Sequence, residues 1–79
     1  MTKQFVLYGS EGCHLCELAE DICNPVLGDS LDYIDIVTDS ELVESYGTHI
    51  PVLKHKLSNN ELYWPFTANE VEAFVRQWN

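Results

Sequence analysis

Positive charge is scarce in this sequence. Four lysines and arginines stand against thirteen aspartates and glutamates, a net charge of −9 over 79 residues. A chain this acidic repels polyanions, which argues against nucleic acid and anionic membranes as partners. The acid serves solubility or faces a basic partner surface, and charge alone does not choose between them. Also missing is any apolar run of membrane-spanning length, and Met1-Thr2-Lys3-Gln4 brings no apolar signal core ahead of the first strand. The expectation is a cytoplasmic monomer, in a compartment that keeps thiols reduced. Cysteine is sparse and odd in number, three in all, so a disulfide framework is not expected. There is no internal repeat, low-complexity run or linker, and the length fits one domain, residues 1–79. A hydrophobic content of 46% with nine aromatics is too rich for disorder. A domain of this size still buries only about 60% of its unfolded surface.

What the sequence does have is concentrated in Tyr8-Gly9-Ser10-Glu11-Gly12-Cys13-His14-Leu15-Cys16. Before it, Phe5-Val6-Leu7-Tyr8 reads as a buried strand. After it, Leu15, Leu18, Ala19 and Ile22 recur at helical spacing and form one helix face. The two cysteines therefore fall where a strand ends and a helix opens. A helix N-terminus offers unpaired N–H groups and the positive end of its dipole, which favour a thiolate. Cys13 is expected at or just before the first turn, exposed, as a nucleophile. Cys16, one turn further in, is placed to attack a mixed disulfide formed on Cys13. C-x-x-C beside a βαβ pattern in a reducing compartment is a redox signature.

The rest of the chain reads β-α-β-α-β-β-α. The first strand covers about residues 4–8 and the first helix about 13–23, with Pro25 stopping or kinking it and Gly28 closing the segment. A second strand covers about 31–37. A second helix opens at Thr38-Asp39-Ser40-Glu41, a capping box with Asp39 as the alternative cap. Gly47 sits where a left-handed helix end is needed. A hairpin of strands at about 52–56 and 61–64 turns at Ser58-Asn59-Asn60. Thr67-Ala68-Asn69-Glu70 is another capping box, and Val71, Phe74, Val75 and Trp78 line the last helix.

With these elements in place the chain resembles the thioredoxin superfamily, and glutaredoxins most closely. The likeness runs over nearly the whole chain. It rests on Leu7-Tyr8-Gly9, Cys13-His14-Leu15-Cys16, Ile34-Asp35-Ile36, Tyr46-Gly47, Ile50-Pro51-Val52-Leu53 and Trp64-Pro65-Phe66. It is nearest to small bacterial glutaredoxin-like proteins with a C-H-L-C loop. The resemblance implies an α/β, thioredoxin-like fold, a four-stranded mixed sheet flanked by three helices. It implies that Pro51 is cis and faces the cysteine pair, and that the Ile50 backbone pairs with substrate. Tyr8 and His14 complete the substrate-binding residues it suggests. Glutaredoxins that use glutathione carry a Gly-Gly pair near the last helix and often a Lys near the cysteines. Trp64-Pro65-Phe66-Thr67 and Glu11 stand there in this chain, so glutathione is a disfavoured partner. Where thioredoxins have a buried Asp, this chain has Leu7.

Other residues admit bland readings beside functional ones. Cys23 lies ~10 Å along the helix from Cys16, too far to share a zinc, and reads as a buried hydrophobe. His14 is a thiolate stabiliser, a metal ligand or neither. His49 reads as a solvated loop residue, with approach to Cys13 as the alternative. His55, between Lys54 and Lys56, is expected at the surface. Trp64 and Phe66 read as packing beneath the last helix rather than as a ligand platform. Two functions follow. The first is a thiol–disulfide oxidoreductase that needs no cofactor or metal and acts on a disulfide-containing protein or a low-molecular-weight thiol. The second is a non-catalytic module that holds a metal or a partner through the Cys13/Cys16 loop.

Overall fold

The computed structural model describes residues 3–78. The expected element order is present: β1 (Phe5–Gly9), α1 (His14–Leu27), β2 (Leu31–Asp35), α2 (Ser40–Tyr46), β3 (Val52–His55), β4 (Glu61–Tyr63) and α3 (Ala68–Val75). The four strands form one mixed sheet in the order β2-β1-β3-β4. β1 runs parallel to β2 and antiparallel to β3, and β3 pairs antiparallel with β4.

β1 is buried along its whole length because both its faces are covered. Phe5 and Leu7 point to one side, where they pack with Leu53, Ala19, Cys23 and Leu27 of α1, and Val71, Phe74 and Val75 of α3. Val6 and Tyr8 point to the other side, where they meet Val52, Ile36 and Tyr46 of α2. Alternation along a single strand thus supplies two cores, and all three helices are needed to close them. Among the described residues no helix is long and apolar enough to cross a membrane.

Several local expectations change. α1 runs through Pro25 and ends at Leu27, four residues beyond the expected stop. The ring removes the N–H that would reach the Asp21 carbonyl, and Asp21 and Pro25 both lie on the exposed side of the helix, where the loss costs less than in the core. Gly28, at φ 50°, then ends the helix and donates its N–H to the Asn24 carbonyl. β2 stops at Asp35 rather than at Val37. The Asp35 carboxylate accepts from the Val37 N–H at 3.0 Å and turns the chain into a 3₁₀ segment, Ile36–Thr38. Asp39, the alternative cap, opens α2 by accepting from the Glu41 N–H at 2.9 Å. Gly47 is not left-handed: its φ is −53°. A Cβ there would lie 2.5 Å from the Val43 carbonyl oxygen, so close approach is what the glycine relieves. The Thr67 capping box is complete, with Thr67 Oγ1 and the Glu70 carboxylate each accepting the other residue's N–H.

His55 is a correction. It is 3% exposed, stacked on Trp78 at 3.9 Å, with Phe5 at 5.0 Å. Its Nδ1 shares a 2.8 Å hydrogen bond with Ser58 Oγ. Strand alternation explains the burial: His55 lies two residues from Leu53 and so on the same face, and the register sets it opposite Phe5. The flanking lysines lie on the other face.

Candidate active site

Gly12, at φ +80°, takes the loop after β1 through a left-handed turn that a side chain would strain. Cys13 follows as the N-cap of α1, in extended conformation. Its N–H donates to the Ser10 carbonyl and its own carbonyl accepts from Glu17 N–H, both at 3.2 Å. The Cys16 N–H donates to Cys13 Sγ at 3.1 Å. The capping acceptor that Ser or Asp usually supplies is here a sulfur. The two cysteines are bridged, with Cα atoms 5.2 Å apart. Cys13 is half-buried while Cys16 is 1% exposed, so an incoming group reaches Cys13 first. A backbone N–H and the dipole end both face Cys13 Sγ, and each stabilises a thiolate there.

The other residues singled out from the sequence are not all brought to this loop. Register pairs Tyr8 with Val52, which brings Pro51 alongside the Gly9 end of β1, where the active loop departs. The Ile50–Pro51 bond is cis, as is Trp64–Pro65. Pro51 is fully buried, and Ile50 is half-buried with its N–H donated to the Tyr46 carbonyl at 3.1 Å. Tyr8 is buried on the α2 side of the sheet, its ring stacked on Tyr46 at 4.6 Å. His14 is exposed, with Nδ1 3.8 Å from the Glu17 carboxylate. His49 is exposed and lies edge-on to the Tyr63 ring at 5.6 Å. Phe66 is in the core, and Trp64 packs edge-on against it at 5.1 Å. Cys23 is fully buried, and burial pushes its thiol up to about 12, so it stays protonated and unreactive.

Two residues at this end of the sheet were not anticipated. Asp35 closes β2 and accepts the Glu11 N–H on Oδ2 at 3.2 Å, which ties the middle of the active loop to the edge strand. An aspartate ending a strand before a turn was the available signal. Tyr33 stands beside Gly9: a Cβ on Gly9 would meet the Tyr33 hydroxyl at 2.6 Å and Cys16 Cβ at 3.1 Å. Gly9 is therefore a glycine because a phenol crosses it. Nothing local in the sequence announces that contact. Burial, then Asp35, Glu20 and Glu17, push the Tyr33 hydroxyl above its usual range.

The electrostatics of this end are acidic. Glu11 and Glu17 flank the pair and are exposed. The lysines in and just after β3 lie elsewhere. Lys54 Nζ reaches the Tyr46 hydroxyl at 3.4 Å on the α2 face. Lys56 pairs with Asp32 at 3.4 Å, and its N–H bonds Gln4, at the opposite end of the sheet. Among the described residues no three His, Cys, Asp or Glu side chains converge as a metal site. Among the described residues, then, no third or fourth side chain joins the cysteine pair to complete the four that a closed zinc site takes.

Comparison with known proteins agrees with this geometry. A family model, glutaredoxin-like domain (DUF836), matches residues 4–76. The chain is similar to the X-ray structure of the structural genomics target protein XcR50 from X. campestris. That match has a TM-score of 0.83 and 29% identity, and covers 95% of this chain and 99% of the other. It is also similar to the solution structure of protein Ne2328 from Nitrosomonas europaea. Here the TM-score is 0.67 and the identity 26%, with 94% of this chain and 92% of the other covered. No curated protein matches the chain.

Proposed function

The chain belongs to the glutaredoxin-like domain family (DUF836), and on that footing we propose that it is a thiol–disulfide oxidoreductase working through Cys13 and Cys16. The observation that carries this reading is the asymmetry of the pair. Cys13 caps a helix and accepts the Cys16 N–H, and Cys16 is buried one turn behind it.

The chemistry runs in two exchanges. In the reduced protein the Cys13 thiolate attacks one sulfur of a substrate disulfide. A mixed disulfide forms on Cys13, and the other substrate sulfur leaves as a thiolate and takes a proton from water. Cys16 then loses its proton to solvent, and its thiolate attacks Cys13 Sγ. The Cys13–Cys16 bridge forms and the second substrate thiolate departs. Two electrons have passed to the substrate, and an external thiol pair, itself oxidised to a disulfide, supplies two more to reopen the Cys13–Cys16 bridge. That demand for thiols fits a monomer working in a reducing cytoplasm.

The partner we favour is a protein disulfide or a low-molecular-weight thiol of low charge, in preference to glutathione. Glutathione is a net anion, and Glu11 and Glu17 flank the pair while Lys56 is engaged at the far end of the sheet. At Trp64-Pro65-Phe66, Phe66 fills the core and Pro65 has no N–H to offer a carboxylate.

The test is capture by Cys16→Ser. Lacking the resolving thiol, this variant should accumulate a mixed disulfide on Cys13, released by dithiothreitol and absent from Cys13→Ser. Failure of Cys13 to form any adduct with a disulfide, while the wild-type bridge resists dithiothreitol, would falsify the redox reading.

A further inference from the structure

The oxidoreductase cycle leaves one step without a helper. Cys16 is 1% exposed, and in the mixed disulfide it must become a thiolate away from water. Desolvation raises a thiol's pKa, and the N–H that favours charge near this turn is directed to Cys13, not to Cys16. Leu7, in the centre of the sheet, offers no polar group. Its register partner on β2 is Tyr33. In a parallel pair registered residues share a face, so Tyr33 lies on the α1 side of the sheet, the side on which Cys16 is buried.

The distances sharpen this. One point, the place where a Gly9 Cβ would stand, lies 2.6 Å from the Tyr33 hydroxyl and 3.1 Å from Cys16 Cβ. The hydroxyl and the cysteine are thus no further apart than those two distances laid end to end. With no side chain on Gly9, nothing from that residue separates them. The hydroxyls of Tyr46 and Tyr63 both go to Glu61, whereas among the described residues the Tyr33 hydroxyl has no hydrogen-bond partner.

Resting on the redox reading above, we infer that Tyr33 is the hydrogen-bond donor to the Cys16 sulfur, stabilising its thiolate whenever the bridge opens or is about to close. The groups that face Tyr33 are Asp35 on its own strand and Glu20 and Glu17 on α1. Burial first, and then these carboxylates, favour the phenol's protonated form, so it donates a hydrogen bond across the range in which thiols titrate without giving up its proton. They also oppose a second negative charge at Cys16, which makes a donor there more necessary. No new redox partner is required. The proton that Cys16 loses goes to solvent as before, and Tyr33 keeps its own.

The experiment compares wild type with Tyr33→Phe, which keeps the ring and removes only the hydroxyl. The Cys16 pKa is read in the reduced protein from its ¹³Cβ shift against pH. The resolution rate is read at neutral pH in stopped flow, as the second of the two chromogenic thiolates released when the reduced protein is mixed with an aromatic disulfide. A hydrogen bond to a charged group predicts a Cys16 pKa higher by about one unit and a roughly tenfold slower resolution in Tyr33→Phe. Formation of the first mixed disulfide on Cys13 should be unchanged. In wild type itself the Tyr33 ¹³Cζ resonance should shift on reduction and again as Cys16 titrates, a measurement that needs no variant. Unchanged Cys16 pKa and resolution in a folded Tyr33→Phe protein overturn the inference and leave the redox reading standing. So does a Tyr33 resonance blind to Cys16. Absence of any mixed disulfide on Cys13 in the Cys16→Ser variant overturns the redox reading, and this inference with it.

Discussion

Raising the pH should remove stability through one buried atom, the sulfur of Cys23. The side chain is fully buried among Phe5, Leu7, Ala19 and the α3 residues, and burial pushes its pKa from 9.0 to about 12. The unfolded chain therefore releases this proton some three decades earlier than the folded one. Below the unfolded value both states hold the proton and the thiol contributes its full packing. Above it only the unfolded state gains by ionising, so stability falls until the folded value is reached. Linkage gives a loss of about 1.4 kcal/mol between about pH 8 and pH 10, tending to ~4 kcal/mol above about pH 12. The four tyrosines with raised values, Tyr8, Tyr33, Tyr46 and Tyr63, act in the same direction from about pH 10 upward. A comparison of wild type with Cys23→Ala removes their share, since both proteins carry them. Deleting the sulfur costs about 1 kcal/mol of packing at any pH. Urea unfolding with the Cys13–Cys16 bridge intact should show that wild-type advantage shrinking by about 1.4 kcal/mol by about pH 10, to near parity. An advantage that stays constant across this range would mean that Cys23 titrates as an exposed thiol, and the burial argument would be wrong.

Three further outcomes are expected. In the reduced folded protein Cys13 should alkylate with iodoacetamide well ahead of Cys16, and Cys23 should not react. Peptide mapping decides it, and similar rates at Cys13 and Cys23 would contradict the burial of the latter. Asp35→Ala should cost about 1 kcal/mol by losing acceptors for two N–H groups, and the Glu11 amide should lose hydrogen-exchange protection. Protection retained at Glu11 would show that the loop is held by other contacts. In a glutathione-coupled disulfide assay the protein should work poorly and improve as salt screens Glu11 and Glu17. High activity that ignores salt would show that charge does not govern this partner.

Much of the chain was legible from local chemistry. The strand at Phe5, the cysteines at a strand-to-helix junction, the Thr67 capping box and the burial of Cys23 each follow from residue type and spacing within one or two turns. Such features depend on neighbours in sequence, and the physics that sets them is short-ranged. α1 outran its expected end because Pro25 falls on a solvated face, where a missing N–H costs less than at a buried one. The tertiary structure decided what depends on strand register. Lys54-His55-Lys56 reads as surface until β3 is paired with β1, and the pairing sets His55 against Phe5 and under Trp78. Asp35 becomes an anchor for the active loop only when β2 lies beside β1, 24 residues away in sequence from Glu11. Tyr33 is one more aromatic on an edge strand until the Leu7 register carries its hydroxyl over Gly9 toward Cys16. A one-residue slip would turn that phenol to the opposite face of the sheet, because side chains alternate along a strand, and no local pattern records which register the two strands share.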